Sequence, residues 1–243
     1  MRNGYVDLHC HLLPGVDDGA QTTEEALQML AIAYEEGIRT IVTTPHFAVG
    51  HKEGEKEKIL RAFLTFQQVV KEKYPEICLH LGNEVLYSPG IIDCLKEERA
   101  FTIASGNYVL VEFSPRISYN ELYLAVKQLV YARYRPIIAH VERYQCLYRN
   151  HKLCAELVKS GAYIQMNGQS LVGSPLDDNV HWSRKLVKEG LIHVISTDAH
   201  DTGERSPKIT KVRKWVEKRL GVERAEELFA RNAKVMIQNE YLG

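Results

Sequence analysis

Glu35-Glu36-Gly37-Ile38-Arg39-Thr40-Ile41 reads as the end of a helix, a stop and the start of a strand. Glycine best accepts the left-handed turn that closes a helix. The same grammar returns at Lys159-Ser160-Gly161-Ala162-Tyr163 and Lys188-Glu189-Gly190-Leu191-Ile192. Outward from these points, short runs rich in Ile, Val and Leu alternate with longer amphipathic stretches. The runs at 5–8, 40–43, 78–81, 108–112, 136–139, 163–166 and 193–196 are expected strands, apolar enough to be buried on both faces. The stretches at 23–36, 53–73, 119–133, 151–160, 179–189, 207–220 and 223–231 are expected helices. A β-α alternation implies a parallel sheet with helical crossovers. Seven such strands point to a closed or nearly closed α/β barrel. The polar run 50–58 is expected to be a surface loop.

The bulk properties fit one domain over residues 1–243. Of the 243 residues, 45% are hydrophobic and 26% charged, and 31 basic residues balance 31 acidic ones. That balance lacks the basic footprint of a nucleic-acid binder. No run of 18 apolar residues is present, so membrane insertion is not expected, and the first residues lack a signal-peptide core. Five cysteines with no C-x-x-C pair favour a reducing, cytoplasmic setting over a disulfide framework.

Nearly every expected strand runs into a metal-binding side chain at its C-terminal end. Strand one gives Asp7-Leu8-His9-Cys10-His11, and strand two gives Thr43-Thr44-Pro45-His46. Further on come Glu84, Glu112, His140, and the closing Thr197-Asp198-Ala199-His200. In α/β barrels that face carries the active site, so these distant residues should converge. One residue separates His9 from His11, so in extended backbone both point to the same side, with Cys10 opposite as a core residue. A carboxylate at a buried strand end needs a cation or a shifted protonation, which applies to Glu84 and Glu112.

These segments resemble the polymerase and histidinol phosphatase (PHP) domain family. The D-x-H-x-H start, T-T-P-H, A-H-x-E-R and S-T-D-A-H stretches carry the resemblance from Val6 to about Asn232. Within it the chain looks most like the bacterial CpsB/YwqE-type manganese-dependent protein-tyrosine phosphatases. The stretches His11–Ala20, Val109–Phe113 and Ile138–Arg143 carry that narrower likeness. The resemblance implies a distorted seven-stranded (β/α) barrel and three divalent ions, Mn2+ first, with Fe or Zn as alternatives. Carried over residue by residue, one ion takes His9, His11, Glu84 and Asp198. A second shares Glu84 and adds Glu112 and His140. The third takes Asp17, His46 and His200, with Asp18 as the alternative to Asp17. Arg143 and Arg205 match the family's phosphate-binding arginines. Val141 and Phe47 depart from the family pattern at positions outside the ligand set.

Such a nitrogen and oxygen set, without thiolate, suits Mn, Fe or Zn. Three divalent ions bring six positive charges against four carboxylates and one bridging hydroxide, leaving a positive site for a phosphate dianion. The implied reaction is in-line attack on phosphorus by that hydroxide. The implied partner is a phosphotyrosine protein, namely a bacterial capsule or exopolysaccharide tyrosine kinase. A histidinol-phosphatase and a non-catalytic regulatory domain are the competing readings. A cysteine mechanism needs C-x5-R, and none of the five cysteines has Arg six positions later. His51, His80, His151, His181 and His193 read as surface, cap or core residues. Tyr144 and Tyr148 read as packing, Glu142 as orienting a histidine or facing solvent, and Gln165 and Asn167 as contacts to substrate or water.

Overall fold

The computed structural model describes residues 4–50, 55–174 and 176–242. Nine parallel strands occur among them: β1 (Tyr5–Cys10), β2 (Ile38–Thr43), β3 (His46–Phe47), β4 (Cys78–Leu81), β5 (Glu84–Leu86), β6 (Tyr108–Glu112), β7 (Arg135–Ile138), β8 (Tyr163–Asn167) and β9 (Val194–Ser196). They form a three-stranded sheet, β1-β2-β4, and a six-stranded sheet, β3-β5-β6-β7-β8-β9. All pairings are parallel. The two sheets also meet at their other edges, because Cys10 forms a parallel bridge to Ala199 just past β9. Backbone bonds from His11 N–H to Ala199 O (2.9 Å) and from Asp198 N–H to His9 O (2.8 Å) close that junction.

The strand count differs from the seven expected, and the reason is local. Past Thr43 and past Leu81 the chain breaks for two residues, Thr44-Pro45 and Gly82-Asn83. It then pairs again, His46 with Glu84 and Phe47 with Val85. Proline has no N–H to offer a ladder, so the break at Pro45 follows from its chemistry. Runs of two or three residues carry too little periodicity to be read as strands.

The helices are α1 (Thr23–Glu35), α2 (Glu55–Lys73), α3 (Ile91–Lys96), α4 (Tyr119–Tyr131), α5 (His151–Lys159), α6 (Asp178–Lys188), α7 (Thr210–Leu220), α8 (Val222–Glu226) and α9 (Asn232–Ile237). A π-helical turn, Glu227–Arg231, joins α8 to α9. The short α3 and the extension through α9 were absent from the sequence expectation. The first residues of the expected helix 53–73, part of the loop 50–58 and His51 lie outside the described residues. Caps explain several starts. Ser118 and Glu121 form a reciprocal capping box on α4, and Asp177 accepts from Asn179 N–H ahead of α6. Gly37, at φ +84°, makes the turn out of α1 that the sequence anticipated.

Two hydrophobic clusters sort the side chains. The smaller takes Val6, Leu8, Val42, Leu110, Ile137 and Val194 from the strands, with Ala233 and Met236 of α9 beneath them. The larger packs the opposite strand faces, such as Ile41, Leu79, Val111 and Ile164, against the helices. The alternation is the period of two expected of a strand. It leaves the C-terminal strand ends free to carry polar groups. No helix among the described residues is long and apolar enough to cross a membrane.

Candidate metal centre

Strand direction alone gathers the polar residues. His9 lies near the end of β1 and His11 one residue past it, His46 opens β3, Glu84 opens β5 and Glu112 closes β6. His140 lies two residues past β7 and Asp198 two past β9. The β1–β2 register is interrupted between Asp7 and Cys10, beside His9, and such irregularities re-aim side chains. His140 (φ 30°) and Asp198 (φ 53°) both hold left-handed backbone. Neither is glycine, so each conformation costs of order 1 kcal/mol and needs its surroundings to hold it.

The tightest group is His9, His11, Glu84 and Asp198, all buried. His9 Nε2 lies 3.2 Å from His11 Nε2, 3.2 Å from Glu84 Oε2 and 3.3 Å from Asp198 Oδ1. His11 Nε2 lies 3.2 Å from Glu84 Oε2 and 3.6 Å from Asp198 Oδ1. Metal–ligand bonds of about 2.1 Å in a tetrahedron put ligand atoms roughly 3.4 Å apart. The spacing fits that figure. The opposite ring nitrogens are already engaged, His11 Nδ1 with Asp17 Oδ2 (2.7 Å) and His9 Nδ1 with Gln165 Oε1 (3.3 Å). Each Nε2 is thus left to face Glu84 and Asp198, where a shared cation fits. His200 Nε2 is buried with no hydrogen-bond partner among the described residues, as a nitrogen kept for a metal would be. The donor set thus fits divalent ions.

A second group joins Glu84, Glu112 and His46. His140 belongs with it, at 2.7 Å from Glu84 Oε1 and 3.5 Å from Glu112 Oε1. A third joins His11, Asp18, His46 and His200. Asp18 Oδ1 stands 3.2 Å from His46 Nε2 and 3.4 Å from His200 Nε2. Here the geometry departs from the sequence expectation of Asp17. The Asp17 carboxylate turns inward, accepting from His11 Nδ1–H (2.7 Å), His46 N–H (3.1 Å) and Gly19 N–H (3.0 Å). Asp17 is thus occupied behind His11, and Asp18 is the aspartate that faces His46 Nε2 and His200 Nε2. Gly19 lets the loop of Asp17 and Asp18 close, since a Cβ there would overlap the carbonyl oxygen of His11.

The electrostatics call for positive charge. Burial disfavours a charged His9 ring, yet Glu84 and Asp198 outweigh it and lift the ring to about 9. His46 is lifted to about 9 against its burial, chiefly by Glu84. Burial alone would raise the Glu84 carboxyl, but His9, His11, His140 and His46 hold it well below the usual range. A field that draws protons onto imidazoles also draws a metal cation in their place.

The two expected arginines reach one carboxylate oxygen. Arg143 Nη2 lies 2.6 Å and Arg205 Nη2 3.0 Å from Asp198 Oδ2. Both side chains are about 40% exposed, so their other donors are open to a ligand. Asp7 backs the site rather than joining it, accepting from Thr197 N–H (3.0 Å) and the Thr197 hydroxyl. Cys10 is buried in the larger core, and burial pushes its thiol well up, away from the thiolate a nucleophile needs.

Three residues were undervalued in the sequence. Gln165 Oε1 accepts from His140 N–H (2.6 Å) and faces His9 Nδ1, while its amide donates to Asn167 Oδ1 (2.9 Å). Asn167 Nδ2 donates to Asp198 Oδ2 (2.7 Å). β8, which supplies no ligand itself, thus carries residues that contact His9, His140 and Asp198. Glu142 neither orients a histidine nor lies open. It accepts from Asn167 N–H (3.1 Å) and the Ser170 hydroxyl (2.8 Å). Tyr144 is packed, its hydroxyl accepting from Phe113 N–H. His80 sits beside Cys78 and His181 is exposed on α6. His151 opens α5, and His193 accepts from Ile164 N–H.

Known proteins are similar to this chain along its length. The chain is 30% identical to the tyrosine-protein phosphatase CpsB of Streptococcus pneumoniae, over 98% of this chain and all of the relative. It is 30% identical to the tyrosine-protein phosphatase YwqE of Bacillus subtilis, over 97% of this chain and 92% of that one. A crystal structure from work on YwqE and CpsB, described as metal-dependent tyrosine phosphatases, superposes with a TM-score of 0.89. Its identity is 28%, with 98% of this chain and 96% of that chain covered. The phosphotriesterase homology protein of Escherichia coli superposes at 0.59 with 13% identity, a likeness of fold alone. The model of the capsular polysaccharide synthesis family CpsB/CapC matches residues 5–238, and the chain belongs to that family.

Proposed function

We propose that the chain is a metal-dependent protein-tyrosine phosphatase acting on a phosphotyrosine protein, namely a tyrosine kinase of the capsule or exopolysaccharide machinery in the cytoplasm. One observation carries the reading. Two half-exposed guanidiniums, Arg143 and Arg205, converge on the outer oxygen of Asp198, whose inner oxygen faces His9 and His11. A phosphate held by the arginines therefore lies against the metal centre.

The same reading places the chain in the PHP group, as one domain. Taking β2 with β3 and β4 with β5 as two interrupted staves gives a barrel of seven. Three ions, Mn2+ by preference, would be held by His9, His11, Glu84 and Asp198; by Glu84, Glu112 and His140; and by Asp18, His46 and His200. Such ions lower the pKa of bound water and neutralise charge on phosphoryl oxygens. The chain's own residues do the rest. Arg143 and Arg205 clamp phosphate oxygens with planar donors. Asp17 and Gln165 fix the ring orientations of His11 and His9, leaving each Nε2 unprotonated for a metal. A tyrosine phenolate has a conjugate-acid pKa near about 10 and leaves with little help, so no dedicated general acid is required.

The test is turnover by the Mn2+-loaded protein of a phosphotyrosine peptide, a phosphoserine peptide and histidinol phosphate. Preference for the first supports the reading. Fast turnover of histidinol phosphate alone would replace it with a small-molecule phosphatase, and no turnover of any of them would favour a regulatory domain. Activity that survives EDTA or His9→Ala would remove the metals from the mechanism.

A further inference from the structure

Arg143 borders two spaces. Towards β9 it meets Asp198. On its other side lies a cavity of about 610 Å3 between the turn after β7, the turn after β8 and α6. Two residues that line the cavity, Glu142 and Ser183, each carry a buried polar atom with no hydrogen-bond partner among the described residues, Oε2 and Oγ. Ser183 is 0% exposed. Its neighbour on α6, Trp182, is packed into the core. The other Glu142 oxygen is fully engaged, by Asn167 N–H and the Ser170 hydroxyl. That bonding pins the carboxylate so that Oε2 cannot turn away to find a partner. Buried polar atoms are nearly always paired, and an orphan calls for an explanation.

The surroundings define what would pair them. An ionised carboxylate oxygen accepts only, so a partner for it donates. Asp177 adds a second carboxylate to the wall. Arg143 is the one cation lining the cavity among the described residues, and it is drawn to Asp198 at 2.6 Å. Arg149, further out, is held by Asp178. The lining thus carries two acidic side chains, with Asp177 at the exposed rim, against one arginine that is already paired. The flank formed by Tyr148, Val172 and Val180 is largely hydrocarbon. A donor head of positive charge on an apolar stem describes a lysine or arginine side chain.

We propose that this cavity is a specificity subsite that receives a lysine or arginine flanking the phosphotyrosine, with its cation on Glu142 and Ser183. The proposal rests on the phosphotyrosine reading of the metal centre. Because Arg143 holds the phosphate and also borders the cavity, the basic residue lies within three positions of the phosphotyrosine, a reach of about 10 Å along extended chain.

The experiment uses the full chain loaded with Mn2+ and phosphotyrosine peptides of neutral sequence. A single lysine is walked through the three positions on either side, with methionine at the same place as reference. The expected result is one position at which lysine raises kcat/KM about tenfold over methionine, mostly through KM. In Ser183→Ala and in Glu142→Gln that lysine-to-methionine ratio falls towards one. Either variant suffices if the other fails to fold. A flat profile, an equal gain at every position, or a ratio that survives in the folded variants overturns the subsite while leaving the phosphatase reading intact. Failure to hydrolyse any phosphotyrosine peptide, with continued turnover of histidinol phosphate, removes the phosphatase reading and the subsite with it.

Discussion

Arg143 and Asp198 form an ion pair of 2.6 Å that joins the exposed face of the site to its buried face. The guanidinium is about 40% exposed and the carboxylate 2%. Through its other oxygen the same aspartate stands 3.3 Å from His9. One residue thus couples phosphate recognition to the metal ligands.

That coupling makes Arg143 hard to replace. Arg143→Lys keeps a charge but loses the planar fork. Its kcat/KM on a phosphotyrosine peptide is expected to fall about 100-fold, comparable to losing one charge-stabilising donor, with metal content unchanged by elemental analysis. A variant within threefold of wild type would remove Arg143 from phosphate binding.

Gln165→Leu tests whether orientation matters at a distance. The change removes the contact to His9 Nδ1 and the acceptor for His140 N–H. Loss of such outer partners weakens metal affinity by about 10- to 100-fold. Competitive titration with a chelator measures it, and an unaltered midpoint would show that packing alone holds the two rings.

Asp17 and Asp18 should separate cleanly. Asp18→Ala removes a group that faces both His46 and His200, so the purified protein should retain one fewer ion per chain. Asp17→Asn leaves a side chain that can still face His11, so ion count at saturating Mn2+ should hold while affinity drops. The reverse pattern in bound-metal stoichiometry would restore Asp17 to the ligand set.

His193 gives a pH prediction remote from the metals. Burial, aided by Arg224, pushes its ring down from 6.5 to about 4, and its Nδ1 accepts from Ile164 N–H at 3.0 Å. The folded pKa is lowered, so the neutral ring is favoured in the fold. The contribution is present above pH 6.5 and is lost as pH falls towards 4, because the unfolded chain protonates first. Between pH 7.5 and pH 5 the loss amounts to about 2 kcal/mol. His193→Asn keeps an acceptor but cannot titrate. Urea unfolding of the chelated proteins at both pH values should show wild type losing about 2 kcal/mol more than the variant, and equal losses would contradict it.

Reading of the sequence reached far for a chain of this kind. The strands at 78–81 and 108–112 coincide with β4 and β6, and Gly37 takes the expected left-handed turn. Local chemistry settles such features, because a helix stop or a buried apolar run depends on neighbours in sequence. The convergence of His9, His11, Glu84 and Asp198 was also legible, since parallel strands deliver their C-terminal ends to one face. Three things were decided only in the folded chain. Asp18 rather than Asp17 faces His46 Nε2 and His200 Nε2, because Asp17 is tied to the His11 ring and to the His46 and Gly19 amides. Gln165 and Asn167 became the support of three ligands, because β8 lies between β7 and β9 in the sheet. The Glu142 cavity appeared beside Arg143, because α6 packs across the turns after β7 and β8. Periodicity and spacing report what one segment does. Which oxygen of a carboxylate meets which ring, and which is left bare, is fixed by contacts between residues far apart in the chain.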